Sequence, residues 1–114
     1  MATDCLFCKI IAGQLPATVV YRDDRVVAIR DIHPVAPTHV LVMPVRHMDS
    51  IAVAELPDAD LIAALQLAAI QVAAQEGLKN GYRLVINTGR DGGQTVGHLH
   101  VHLIGGRAMH WPPG

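Results

Sequence analysis

Hydrophobic and polar residues alternate most regularly near the C-terminus, where "HLHVHLI" has an imidazole at every second position of 98–102. Successive side chains of a β-strand point to opposite faces of the sheet. The alternation therefore predicts a strand over 98–104. It would carry three histidines on one face and the apolar residues Leu99, Val101 and Leu103 on the other. One face of this strand is suited to a hydrophobic core, and the other is suited to chemistry.

The rest of the chain predicts four more strands and two helices. Runs rich in β-branched residues predict a hairpin within 17–31, a third strand in "HVLVMP" (39–44) and a fourth in "YRLVIN" (82–87). Acidic residues at the front and a glycine after the end frame an Ala- and Leu-rich helix over 57–76. The segment "CLFCKIIAG" (5–13) predicts a short helix that ends at its glycine. Strands separated by loops, with one long helix inserted, predict an α+β fold with an antiparallel sheet.

The long predicted helix has more apolar surface than one contact would cover. Leu65 and Val72 belong to one apolar stripe, and Ile70 widens it. A helix this apolar is usually covered on more than one side. In so small a domain, a homodimer interface is a natural cover. Gln66 and Gln71 interrupt the most apolar stretch of this helix, "LIAALQLAAIQVAA" (61–74), so we expect this stretch to be too short and too polar to span a bilayer.

Length, charge and cysteine usage narrow the class of protein. At 114 residues the chain is expected to form a single domain, 1–114, whose core needs no disulfides. A formal net charge of -1 without runs of like charge argues against a broad nucleic-acid surface. The start "MATDCLFCKI" lacks an apolar core of signal-peptide length, so we expect a cytoplasmic protein. In that compartment two cysteines indicate a metal or redox pair more readily than a disulfide.

The loop "TGRDGGQTVG" directly before the histidines is a candidate anion site. Gly92 and Gly93 permit a backbone in which successive N–H groups converge on a phosphate, and the Thr95 hydroxyl adds a donor. An imidazole can act near neutral pH as a nucleophile, a base or a proton donor. A row of histidines beside such amides is suited to attack on an anion. The alternative is a set of exposed strand histidines without a role.

The motif "GHLHVHLIGGR" resembles the signature of the histidine triad (HIT) family, and the ending "GGRAMHWPPG" resembles its Hint branch. The segments "DIHPVAPTHVLVMPVRH" and "NTGRDGGQTVGHLHVHLIGGR" are similar to the two main blocks of the family. The resemblance thus covers nearly the whole chain in order. It implies an α+β subunit with a five-stranded antiparallel sheet, one long and one short helix, and pairing into a dimer with a ten-stranded sheet.

The resemblance also implies an enzyme that needs no catalytic cofactor. Its expected reaction is hydrolysis of purine nucleoside 5'-phosphoramidates, such as AMP amides or AMP-lysine, to the nucleoside monophosphate through a nucleotidyl-histidine intermediate. His100 matches the nucleophile, and His102 matches the histidine that contacts the phosphate beside it. The other nucleotide contacts that the resemblance implies are Asp31 at the ribose, Ile32 at the base, Asn87, Gly93, Gln94 and Thr95 at the phosphate, and Trp111 on the leaving-group side of the partner's site.

Cys5 and Cys8 have the spacing of two zinc ligands, and two further ligands are needed. In a subset of the family, the set is completed by histidines that match His47 and His98. The resemblance therefore implies a structural zinc at Cys5, Cys8, His47 and His98. A strand rise of about 3.3 Å separates the backbones of His98 and His102 by about 13 Å, so one ion cannot easily bind all three triad histidines. In the competing interpretation His47 and His98 stay metal-free and relay protons in the catalytic group, and the cysteines are reduced core residues.

Several alternatives remain open at the level of the sequence. A dinucleoside polyphosphate hydrolase or nucleotidyl transferase of the wider family is disfavoured by the "MHWPPG" ending. A nucleotide-binding scaffolding module and a zinc hydrolase that uses two triad histidines are the others. For single residues, Asp31 could serve a strand-end turn, Ile32 could be core and Asn87 could cap a strand. We expect His39 to bond locally within its strand rather than in the site.

Overall fold

The computed structural model describes residues 4–114, and within this range five strands form one antiparallel sheet in the order β1-β2-β3-β5-β4. The helices are α1, Leu6–Ile11, and α2, Ala59–Gln75. The α+β class with one short and one long helix is thus confirmed. The expectations for the N-terminus also include residues 1–3, which lie outside the described range. The strands are β1 Val19–Arg22, β2 Val26–Arg30, β3 Thr38–Pro44, β4 Tyr82–Val85 and β5 Val101–Gly105.

The central strand β3 separates two apolar layers because its side chains alternate between the faces of the sheet. All seven of its residues are buried. Val40 and Val42 pack with the α2 layer, and Leu41 and Met43 pack with Phe7 of α1 on the other face. The α2 layer also contains the apolar partners of the triad, Leu99, Val101 and Leu103. The predicted alternation of histidines and core residues is therefore confirmed.

The last strand is shorter than the histidine pattern predicts. β5 begins at Val101 rather than at His98, so only His102 of the triad lies within the strand. The pairing of β3 with β5 ends where Val42 lies opposite Val101. The Leu99 N–H instead donates to the Met48 carbonyl at 2.7 Å. The chain stays extended enough to keep the alternation without regular pairing.

The long helix α2 begins two residues later than predicted. Leu56–Asp58 forms a separate turn of 3-10 helix, in which the Glu55 N–H donates to the Asp58 side chain at 2.9 Å and the Asp58 N–H donates to the Glu55 carbonyl at 2.8 Å. Leu56–Gln75, which is longer than the 61–74 stretch, is long and apolar enough to cross a membrane by length and composition alone, a test that core helices of globular folds also pass. In this fold it serves as the core helix. Its buried face consists of Leu65, Ala68, Ala69, Val72 and Ala73.

Candidate functional site

A cavity of about 530 Å³ opens between α1, the end of β2 and the triad segment. Much of its wall is apolar and comes from α1 and the following loop, including Leu6, Phe7 and Ile10. An apolar cavity with a few convergent polar groups is typical of a small-molecule site. The polar groups at this cavity include Asp31, Thr95, His100 and His102.

The ring of His100 is held in one orientation at the cavity. Its Nδ1 lies 2.7 Å from the backbone carbonyl oxygen of His98. Because a carbonyl oxygen only accepts, Nδ1 carries the proton, and in the neutral ring Nε2 keeps its lone pair. The ring of Phe7 packs edge-on against the ring of His100, with ring centroids 5.1 Å apart. His100 is buried, and its geometry suits a nucleophile that attacks through Nε2.

His102 is held by a histidine that the sequence analysis placed outside the site. His39 Nε2 lies 2.9 Å from His102 Nδ1, which corrects the expectation that His39 bonds only within its strand. The Val35 N–H donates to His39 Nδ1 at 3.2 Å, so the neutral His39 ring carries its proton on Nε2 and donates it to His102. The remaining proton of His102 then lies on Nε2. Burial, together with the neighbouring His100 and His39, lowers the pKa of His102 to about 4.

The carboxylate of Asp31 makes two contacts, one within its own turn and one with a histidine near the cavity. Its Oδ1 accepts from the His33 N–H at 2.8 Å, as in the strand-end turn that was the alternative interpretation. Its Oδ2 lies 3.5 Å from His39 Nε2, and the residue also lines the cavity. Burial lowers the pKa of His39, and the charge of Asp31 partly opposes this shift. Next to it, Ile32 is 84% exposed at the cavity, so the alternative that Ile32 is core is excluded.

The glycine-rich loop is stabilised by its own hydrogen bonds. The Gly93 N–H donates to the Arg90 carbonyl at 3.1 Å, and the Gln94 N–H donates to the Gly89 carbonyl at 3.0 Å. The side-chain amide of Asn87 donates to the Gly92 carbonyl at 2.7 Å. The phosphate contacts expected of Asn87, Gly93 and Gln94 stay a prediction. These residues do not line the cavity, and the two backbone amides are already paired, whereas Thr95 and Val96 do line it.

A second group, which we call the Cys-His cluster, comprises Cys5, Cys8, His47 and His98. Their ligand atoms all lie within 4.8 Å of one another. Cys5 Sγ is 3.4 Å from His98 Nδ1, and Cys8 Sγ is 3.3 Å from His47 Nδ1. The two Nδ1 atoms are 3.2 Å apart. Tetrahedral zinc with bonds of about 2.0–2.3 Å separates its ligand atoms by about 3.3–3.8 Å, so the residues present fit this ion.

The outer contacts of the Cys-His cluster favour the same conclusion. His98 Nε2 donates to the Pro44 carbonyl at 2.9 Å, and His47 Nε2 donates to Asp49 Oδ1 at 2.7 Å. Both neutral rings therefore direct the Nδ1 lone pair at the cysteines. Burial, followed by the neighbouring Cys5, raises the pKa of the Cys8 thiol. A bound cation acts in the opposite direction, because it favours the thiolate. Carbonyl and carboxylate partners of this kind typically orient histidine ligands of metals.

The remaining expected residue lies apart from the cavity within the same chain. Trp111 is 83% exposed and does not line the cavity, so its expected place in a partner's site remains a prediction. Phe7 and His39 were missed as site residues by the sequence analysis. His39 could have been found from the register of β3 with β5, in which Leu41 lies opposite His102. His39 is two residues from Leu41 and therefore lies on the same face of the sheet. That register depends on a strand order that the sequence does not provide.

The matching family model is that of the HIT domain, and it covers residues 12–109. The chain belongs to the HIT family. An uncharacterised HIT-like protein of Synechococcus elongatus is 50% identical over 114 residues, which is the full length of both chains. A 14 kDa zinc-binding protein of Zea mays is 51% identical over 111 residues, covering 96% of this chain and 87% of its own.

Solved structures agree with this family assignment. A HIT family hydrolase from Legionella pneumophila is 50% identical, with a TM-score of 0.95, and the match covers 96% of this HIT chain and 99% of the other. A histidine triad protein from Clostridium difficile is 41% identical, with a TM-score of 0.91 and 95% of each chain covered. This HIT chain therefore shares its family and fold with a hydrolase, and its family with a zinc-binding protein.

Proposed function

We propose that this HIT protein hydrolyses purine nucleoside 5'-phosphoramidates to the nucleoside monophosphate, with His100 as the nucleophile. The observation that carries the proposal is the hydrogen bond from His100 Nδ1 to the His98 carbonyl at 2.7 Å, which leaves Nε2 as the attacking atom at the cavity. Asp31 lines the same cavity and offers its carboxylate to the two ribose hydroxyls. Ile32 and the apolar wall from α1 suit the base.

The reaction needs two displacements at phosphorus. In the first, the Nε2 lone pair of His100 forms a P–N bond while the bond to the leaving amine breaks, and the amine departs with a proton. An anionic phosphoramidate beside His102 would favour the imidazolium and raise its pKa from about 4, which makes a proton available to the leaving nitrogen. In the second, water attacks phosphorus, the P–N bond to His100 breaks and returns the lone pair to Nε2, the proton of the water passes to His102, and the monophosphate is released. The donor at His102 Nε2 and the Thr95 hydroxyl would compensate charge on the phosphoryl oxygens.

The Cys-His cluster is proposed to hold a structural zinc ion. Its four ligands are Cys5, Cys8, His47 and His98, and a closed four-ligand site supplies folding energy rather than an open position for water. No step of the hydrolysis passes through the ion. His98 then has two separate tasks, because its ring faces the cluster while its carbonyl orients His100. This division favours the zinc interpretation over a proton relay through His47 and His98.

We further propose that the protein is a cytoplasmic homodimer of one HIT domain per chain, 1–114, and binds neither nucleic acid nor membrane. Its outward face on α2 is apolar, with Leu67 64% exposed and Ile70 49% exposed in the single chain. In the dimer, Trp111 of each chain would reach the leaving-group side of the other site. The expected partners are therefore a purine nucleotide substrate and a second copy of the chain.

The decisive experiment is intact-protein mass spectrometry after a rapid, acid-free quench with an adenosine phosphoramidate. We expect one AMP adduct on the wild type and none on His100→Ala, because only the middle histidine presents a free Nε2 to the cavity. Turnover of a diadenosine polyphosphate, measured in parallel, should be slower than that of the amide. Undiminished turnover by His100→Ala would exclude this mechanism. Retained AMP binding without any turnover in the wild type would favour a scaffolding module.

A further inference from the structure

The helix α1 belongs at once to the Cys-His cluster and to the wall of the cavity. Cys8 lies within α1, and Cys5 is its N-cap, whose sulfur accepts from the Cys8 N–H at 3.4 Å. On the neighbouring positions of the same short element, Leu6, Phe7 and Ile10 line the cavity. Any movement of the two sulfur atoms therefore moves the apolar wall that faces the bound molecule.

Apart from the contacts of the two sulfur atoms, α1 is held mainly by the packing of Phe7, Ile10 and Ile11 on the sheet. The helix has six residues, and isolated helices of fewer than about 12–15 residues are marginal in water. Phe7 is its buried residue, and an exposed bond from Arg22 to the Ile11 carbonyl at 3.3 Å adds one further tie. The partners of the sulfur atoms, by contrast, lie on distant parts of the chain, His47 after β3 and His98 before β5.

Phe7 also connects the cluster with the proposed nucleophile. Its ring meets His98 edge-on, with centroids 5.9 Å apart, and meets His100 in the same way at 5.1 Å. The backbone of His98 continues this connection, because its carbonyl accepts from His100 Nδ1. Fixing the ring of His98 therefore fixes both the packing of Phe7 and the acceptor that orients the nucleophile.

We infer that a metal ion in the Cys-His cluster sets the nucleotide affinity of the cavity by holding α1 as its wall. This inference rests on the proposed function of the cavity and adds a regulatory coupling to it. Metal and nucleotide are then two ligands of one ordered state of α1. Because such coupling is reciprocal, the nucleotide must tighten metal binding by the same factor by which the metal tightens nucleotide binding.

The test measures the AMP dissociation constant of the full chain with zinc and after removal of zinc by a chelator. We expect the metal-free protein to bind AMP at least about fivefold more weakly, and re-addition of zinc to restore the affinity. Zinc affinity, measured by competition with a chromophoric chelator, should rise by the same factor when AMP is saturating. Hydrogen exchange should become faster in α1 without metal, while the amides of β3 remain protected.

A matched pair of variants separates loss of the ion from a general disturbance of the helix. Cys8→Ser removes a ligand and should reproduce the metal-free AMP affinity in the presence of zinc. Lys9→Ser changes the next residue of the same helix, which is no ligand, and should keep the wild-type affinity. Equal AMP affinity with and without zinc overturns this inference alone. Absence of AMP binding in both states overturns the proposed function as well.

Discussion

His39 does not line the cavity, yet its position determines what His102 can do there. The Val35 N–H and His102 Nδ1 occupy the two ring nitrogens of His39, so the proton of His102 is directed to Nε2. We predict that His39→Leu, which removes the donor, lowers kcat about 10- to 100-fold while the KM changes little. His39→Gln keeps an N–H donor and should recover most of the loss. Steady-state kinetics with an AMP amide measure both constants.

A purely structural role for His39 predicts a different result. The two variants would then lose stability to a similar extent, and kcat would follow the folded fraction rather than the presence of a donor. In both interpretations, His39→Leu leaves His102 Nδ1 without a partner, which is expected to lower the free energy of unfolding by about 1–3 kcal/mol. Equal kcat values for the Leu and Gln variants would show that His39 does not act through His102.

Individual residues differ in how far the sequence could predict them. The period of two places His100 and His102 on one face. Their expected roles, and that of Asp31, come from the resemblance of local motifs to those of the family. The four members of the Cys-His cluster also follow from the resemblance, and the structure brings them together. His39 and Phe7 were missed because their roles depend on the pairing of β3 with β5 and on the docking of α1. Such contacts join residues that are distant in the sequence.

At the scale of elements, the glycine-rich loop depends on one close approach of its backbone. A Cβ at Gly92 would lie 2.2 Å from the Thr88 carbonyl oxygen, whereas a Cβ at Gly97 would meet no atom within 4 Å. We predict that Gly92→Ala lowers the free energy of unfolding by about 1–3 kcal/mol, as other forced overpacking does. Gly97→Ala is the matched control and should change it by less than about 0.5 kcal/mol. Urea unfolding of both variants measures the difference, and equal values would contradict the tight turn.

Element boundaries show why pattern alone was insufficient at the triad. The alternation correctly assigned the faces of 98–104, because facing depends only on an extended backbone. The start of β5 at Val101 depends instead on its neighbours, since pairing with β3 ends at Val42 and the Leu99 N–H donates to the Met48 carbonyl. Similarly, the α2 start was shifted because Glu55 and Asp58 cap a separate 3-10 turn. Partners and caps in three dimensions decided both boundaries.

For the whole molecule, the buried histidines make stability depend on pH. The pKa of His102 is about 4 in the folded protein, below the value of about 6.5 in the unfolded chain. Between these values the unfolded state binds more protons, so stability rises with pH in this window. The contribution of His102 to stability is fully present above about pH 6.5 and is lost as the pH falls towards about 4. With a discount for partial exposure, we expect a contribution of about 1–2 kcal/mol.

This contribution can be separated from other acid-sensitive groups by substitution. His102→Gln keeps a polar side chain without a titration in this range, so its unfolding free energy should fall less between pH 6.5 and pH 4 than that of the wild type. Both proteins are measured with the metal removed, because ligand protonation would otherwise add its own pH dependence. Parallel pH profiles of the two proteins would show that His102 remains readily protonated in the folded state.

The outer face of α2 provides the last prediction, which concerns the assembly. Ala63, Leu67, Ile70 and Ala74 are exposed and follow the i, i+4, i+7, i+11 spacing of one helical stripe. An aspartate at its centre would be desolvated in an interface between two copies, so Leu67→Asp should be monomeric in sedimentation equilibrium. Leu56→Asp is the matched control, because Leu56 is 91% exposed and precedes α2.

The same variant tests the expected role of Trp111 across the dimer. If Trp111 reaches the leaving-group side of the partner's site, the monomeric Leu67→Asp protein should have a raised KM for amides with a long amine and a nearly unchanged KM for the simple AMP amide. The Leu56→Asp protein should keep both values. Wild-type mass for Leu67→Asp would place the interface elsewhere. A monomer with unchanged kinetics on both substrates would show that each chain completes its own site.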